Sequence, residues 1–142
     1  MTILISRTER DRLASLGVAT LSLFGSHAEG VSGPLSDYDF AVLLRNPNLL
    51  KDAPQKEALY DALYELLAPL CPRDLRNDVI DIVFLDDVRV PLELKMHVIR
   101  HGHVLFDSDP RQRADFEERI MELSCDFQPI LTMFDRAILQ RI

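Results

Sequence analysis

The stretch Val18-Ala19-Thr20-Leu21-Ser22-Leu23-Phe24-Gly25-Ser26, then ten residues, then Asp37-Tyr38-Asp39-Phe40-Ala41-Val42-Leu43-Leu44, decides how this chain is read. Val18 to Phe24 is apolar, β-prone and stopped by Gly25, the pattern of a strand buried on both faces. Ser26 to Ser36 contains Gly30, Gly33 and Pro34, too many turn residues for a long regular element. Tyr38 to Leu44 reads as a second strand. In a strand, residues i and i+2 share a face, so Asp37 and Asp39 stand side by side while Tyr38 turns into the core.

Upstream, Ser6-Arg7-Thr8-Glu9 has the form of a capping box, with Leu13 and Leu16 on one helix face and Gly17 as the stop. Downstream, Asp52-Ala53-Pro54 opens a helix whose stripe is Leu59, Leu63, Leu66 and Leu67, ended by Pro69 and Pro72. Val79 to Leu85 is a third strand, interrupted by Asp81. Pro91 to His101 reads as a helix, Val104 to Phe106 as a short strand, and Asp109-Pro110 as the start of a helix reaching Ile142, broken or kinked before Pro129. Strands and helices mix without repeats or linkers, so the class is α/β or α+β. One small mixed sheet flanked by helices forms a single domain over 1–142, with 110–142 a C-terminal helical segment.

With 142 residues there is room for one ordinary domain, and 47% hydrophobic with 27% charged residues is globular composition. Twenty-three Asp and Glu against sixteen Lys and Arg leave a net charge of −7, which weighs against holding nucleic acid through its phosphates. Cys71 and Cys125 show neither disulfide nor zinc spacing. No signal-peptide pattern and no apolar run of eighteen residues occurs, so a cytoplasmic protein without membrane spans is expected.

Two carboxylates about 4 Å apart repel by about 4 kcal/mol at an effective dielectric near 20. A divalent ion such as Mg2+, which takes oxygen ligands, relieves that repulsion. Asp81 lies inside Val79-Ile80-Asp81-Ile82-Val83-Phe84, where an unpaired buried charge is costly. Placing it beside Asp37 and Asp39 resolves the cost and makes a three-carboxylate metal site. The Gly25-Ser26 turn lets backbone approach a ligand and offers a hydroxyl and amides to phosphate oxygens. Such a turn beside an acid cluster points to phosphoryl or nucleotidyl transfer from a nucleoside triphosphate. With average residue usage, Gly-Ser-x10-Asp-x-Asp arises by chance in on the order of one in five hundred chains of this length.

Leu23-Phe24-Gly25-Ser26-His27-Ala28-Glu29-Gly30 followed by Ser36-Asp37-Tyr38-Asp39-Phe40 resembles the minimal nucleotidyltransferases (MNT) of the DNA-polymerase-β superfamily. The resemblance continues through Val79 to Val83, Ile99 to Phe106 and Asp126 to Leu131. It implies a polymerase-β-like fold, Gly25 and Ser26 as nucleotide-binding residues, and Asp37, Asp39 and Asp81 as both catalytic residues and metal ligands. Its cofactors would be Mg2+ with ATP as substrate, and Asp81 would help deprotonate the attacking hydroxyl. His27 departs from the pattern: many relatives have Arg there, and a neutral imidazole gives up a fixed positive charge. Stand-alone domains of this kind resemble antitoxins of toxin–antitoxin modules. The partner would then be a HEPN ribonuclease toxin, AMPylated on a tyrosine, in a hetero-oligomer. Two alternatives stay open at this stage: a non-catalytic antitoxin that inhibits by binding alone, and a nucleotidyltransferase acting on a small-molecule hydroxyl.

Other residues have plainer readings. His97, His101 and His103 read as solvated helix-end histidines rather than a zinc site, and Asp86-Asp87 as the cap of the next helix. Arg111 and Arg113 read as surface residues that could also meet nucleotide or partner. Phe127, Ile130, Leu131, Phe134, Ile138 and Ile142 recur at helical spacing, which makes 110–142 a candidate partner-binding region.

Overall fold

The chain enters its first helix through Ser6, whose side chain accepts from the Glu9 amide while the Glu9 carboxylate accepts from the Ser6 amide, so the expected capping box forms. That helix, α1 (Arg7–Ser15), buries Leu13 and ends before Gly17, whose φ of +85° suits glycine. The computed structural model describes residues 3–25, 28, 38–71 and 80–140, with side chains up to Cys125 in the last helix. Strand β1 (Val18–Phe24) is buried throughout, and β2 (Tyr38–Leu44) nearly so. A short 3-10 turn (Pro47–Lys51) leads to α2 (Ala53–Leu67), followed by a second 3-10 turn (Ala68–Leu70). Then come β3 (Ile80–Phe84), α3 (Leu92–His101), β4 (His103–Asp107) and α4 (Pro110–Gln140).

Among the described residues, four strands form one mixed sheet in the order β3-β2-β1-β4. β1 pairs antiparallel with both β2 and β4, while β2 and β3 run parallel. Two parallel neighbours need a crossover, and α2 lies in that connection. One sheet face carries Leu21, Leu23, Phe40, Val42, Ile80, Ile82 and Phe84 and packs against Leu13 of α1 and Leu59, Leu63 and Leu67 of α2. The other face carries Phe24, Ala41 and Leu43 and packs against Met96 and Val98 of α3 and Phe116 and Ile120 of α4. Helices therefore cover both faces of an α+β domain. Tyr38 is buried in the first layer, on the side opposite Asp39, as the alternation requires.

Three expectations need correction. Asp52 precedes α2, but its side chain makes no capping hydrogen bond; Pro54 in the first turn removes a donor that a cap would serve. Asp86 and Asp87 do not cap α3, whose N-cap is Pro91. Asp86 instead accepts from the Leu44 amide at 3.0 Å, tying the end of β3 to β2. Asp87 accepts from the Arg89 amide and pairs with Lys56 at 2.7 Å and Arg89 at 3.2 Å, which fastens the loop to α2. Finally, α4 is one helix from Pro110 to Gln140, so of the break or kink expected before Pro129 the break does not occur. A single proline removes one ladder bond, which the flanking turns carry across.

Candidate functional site

The site lies where β1 ends and β2 and β3 begin. β1 and β2 are antiparallel with Phe24 opposite Asp39, so the Gly25 turn sits at the same end of the sheet as the acids. Across the parallel β2–β3 ladder, Asp39 and Asp81 are register partners. Their flanking residues, Phe40 and Ile82, point into the α1/α2 layer, so both carboxylates project from the opposite face. Adjacent strands lie about 4.8 Å apart, close enough for two such carboxylates to share one cation. Farther along this face Ala41 and Leu43 are covered by α3 and α4, while Asp39 is half-buried and Asp81 exposed.

Gly25 meets the acids directly. Its φ is +78°, and a Cβ placed on it would lie 2.5 Å from Oδ2 of Asp39. A side chain there faces a backbone penalty and a clash with one of the acids, which accounts for glycine at this point. Ser26, His27 and Asp37 lie outside the described residues. The structure thus brings together Gly25, Asp39 and Asp81, three of the five residues singled out from sequence.

Asp81 holds its expected place beside Asp39, but on a different physical ground. Asp81 is exposed, not buried. Among the described residues β3 is an edge strand whose α1/α2 face is apolar, and Asp81 is exposed, so no burial cost has to be relieved. Its place beside Asp39 follows from register instead. Tyr60 of α2 is a neighbour that spacing did not point to. Burial first, and then the negative charge of Asp81, push its phenol up, while a hydrogen bond with the Ile82 backbone opposes them. Tyr60 directly follows the core residue Leu59, and nothing in its local pattern marks it.

The remaining polar groups lie elsewhere. Burial raises the Asp86 carboxyl, against the Leu44 hydrogen bond and the charges of Arg119 and Lys95. Hydrogen bonds from Arg89 and Lys56 hold Asp87 well below the usual carboxylate range. Arg113 pairs with Asp107 at 2.7 Å and Glu117 at 3.5 Å, anchoring the start of α4 to β4. The His97 and His101 rings lie 5.0 Å apart on α3, and His103 opens β4. Among the described residues no group of three His, Cys, Asp or Glu side chains is placed to hold a metal; Asp37 is not among them. No helix among them is long and apolar enough to cross a membrane.

Residues 12–111 match the family model described as polymerase beta, nucleotidyltransferase. Comparison with curated proteins finds no significant match. Among solved structures, the chain is similar to one in a toxin–antitoxin crystal structure with AMP-PNP, with a TM-score of 0.56 and 20% identity over 88% of this chain and 97% of that one. It is also similar to a chain in tri-AMPylated Shewanella oneidensis HEPN toxin in complex with MNT antitoxin, with a TM-score of 0.52 and 19% identity over 90% of this chain and 97% of that one. At these identities the likeness is one of fold.

Proposed function

The chain belongs to the polymerase β nucleotidyltransferase family, and from that premise we propose that it is the antitoxin of a two-protein module, moving AMP from ATP onto a tyrosine of a cognate HEPN ribonuclease toxin. The observation that carries the reading is the same-face register of Asp39 and Asp81, with Gly25 against the Asp39 carboxylate. Support for nucleotide and acceptor comes from the similar structures, one with AMP-PNP and one with a tri-AMPylated HEPN toxin beside an MNT antitoxin.

Paired carboxylates on adjacent strands offer hard oxygen donors, a set that fits Mg2+. Asp37, Asp39 and Asp81 would hold it, and the ion would neutralise charge on the triphosphate. Gly25 and Ser26 bind the phosphates through the turn that follows β1. Asp81 takes the proton of the attacking phenol; the new bond joins the tyrosine oxygen to the α-phosphorus, and pyrophosphate leaves. The exposure of Asp81 on an edge strand suits an acceptor brought in by a second protein.

His27 in place of arginine favours one second reading, an antitoxin that inhibits by contact alone. The deciding experiment incubates the protein with α-labelled ATP, Mg2+ and the HEPN toxin, beside an Asp37→Asn/Asp39→Asn variant. Label reaching a toxin tyrosine only with wild type is the expected result. Tight binding without label establishes the contact inhibitor.

A further inference from the structure

The sheet face that meets α3 and α4 is not evenly filled. β1 puts Thr20 and Ser22 on it, opposite Leu43 and Ala41 of β2, and neither side chain is large. On the other side of β1 the pairing slips: Leu21 faces Phe106, but Ser22 faces Val104, so β4 bulges at Leu105. Small side chains on one strand and a bulge in the next leave a cavity of about 150 Å3 between β1, β4, α3 and α4. Its walls are Leu43, Leu85, Val98, Ile99 and Phe116, and its floor carries Thr20 and Ser22. Val104, 45% exposed, marks the mouth together with the half-buried Arg113 and Glu117. Neither Asp39 nor Asp81 lines this space, so it is separate from the acid site.

The floor is polar and incompletely paired. Thr20 Oγ1 donates to Asp107 Oδ1 at 3.4 Å. Ser22 is 6% exposed, and its hydroxyl makes no hydrogen bond to another described residue. Every fully enclosed polar side-chain atom among the described residues has a partner, so this hydroxyl keeps some open surface, and the cavity is what it lines. A hydroxyl held among apolar side chains without a partner costs about 1–3 kcal/mol. A polar atom received into the cavity removes that cost.

Volume and charge together define the occupant. A cavity of this size accepts a benzene-sized molecule, or about five waters. Each water needs two to four polar partners, which two floor hydroxyls between apolar walls do not supply to five. At the mouth Arg113 pairs with Asp107 at 2.7 Å and with Glu117 at 3.5 Å, so one cation faces two anions and the surplus is negative. An anionic ligand, a nucleotide included, is disfavoured there. We infer that this cavity is a binding site for a small uncharged molecule with a benzene-sized apolar body, whose one hydroxyl or carbonyl oxygen meets the Ser22 hydroxyl. The site goes beyond the transfer reaction and does not depend on it.

The test titrates the full chain with phenol, benzene and benzoate and follows its NMR shifts, in wild type, Ser22→Ala and Ser22→Leu. Phenol should bind with a Kd of about 1 mM or tighter and shift Ser22, Val98 and Phe116, while benzoate binds about 10-fold more weakly or not at all. Ser22→Ala should weaken phenol by about 10-fold and bind benzene as tightly as wild type or more so. Ser22→Leu, which fills the space, should bind neither while melting cooperatively; if it fails to fold, the Ser22→Ala comparison decides alone. No phenol-dependent shift at these residues overturns the inference, because the cavity then holds water only. Equal phenol affinity in wild type and Ser22→Ala overturns it too, as does benzoate binding as tightly as phenol.

Discussion

Replacing Gly25 by alanine separates two costs that usually come together. At φ +78° an L-residue costs about 1–2 kcal/mol. For a chain of this length that corresponds to about 3–8 °C in melting temperature. The added Cβ would also sit 2.5 Å from Asp39 Oδ2, where ordinary contact begins at 3.4 Å, so the carboxylate has to move by about 0.9 Å. Misplacing a reacting group by about 1 Å costs on the order of 100-fold in rate. Gly17 supplies the control: its φ is +85°, but a Cβ there meets only Leu49 Cδ1, at 3.9 Å. Gly17→Ala should therefore lose similar stability and keep the wild-type transfer rate, while Gly25→Ala loses both. The assay is label transfer from ATP to toxin at saturating Mg2+, run well below both melting temperatures. Equal rates in the two variants would refute the claim that Gly25 is required by the Asp39 carboxylate.

Further expectations concern the charges. Asp39→Asn and Asp81→Asn should each lower AMP transfer by about 100-fold or more, and Asp81→Asn, at an exposed position, should melt within a few degrees of wild type. Asp86 has a raised folded-state pKa, so its stabilising contribution is full below the unfolded value near 3.9 and is lost as pH rises through the raised value. Asp86→Asn, which keeps an acceptor for the Leu44 amide, should match or exceed wild-type stability at pH 7, whereas Asp86→Ala should lose about 1–3 kcal/mol in denaturant titration. Asp87 is the opposite case: its depressed pKa gives stability present above the unfolded value and lost as pH falls through the depressed one. Asp87→Asn should cost about 1 kcal/mol at pH 7, with a gap to wild type that closes in acid melts. Ser6→Ala removes the capping-box acceptor and should cost about 1 kcal/mol without touching transfer.

Much of this architecture was legible because its signals are local. The capping box at Ser6 and Glu9, the stop at Gly17, and the limits of β1 and β2 each depend on a few neighbouring residues, and the structure has them where spacing placed them. The Gly25 turn was legible for the same reason, since an apolar strand running into glycine is a short-range pattern. What failed were inferences about partners distant in the chain. The Asp86–Leu44 bond joins residues 42 apart, and no window around Asp86 distinguishes it from a helix cap. Asp81 was placed correctly for a mistaken reason, because whether a strand lies at the edge or the centre of a sheet is not written in the strand.

The sequence by itself nominated the candidate site residues: a glycine–serine turn, two acids at i and i+2, and a third acid in a later apolar run. Only the tertiary structure decided that β3 lies parallel beside β2 in a register that sets Asp81 next to Asp39, and that Gly25 closes against that same carboxylate. The difference is physical. Turn chemistry and side-chain alternation arise from sterics within a few residues, whereas strand order and register are settled by which apolar faces α1, α2, α3 and α4 can bury together.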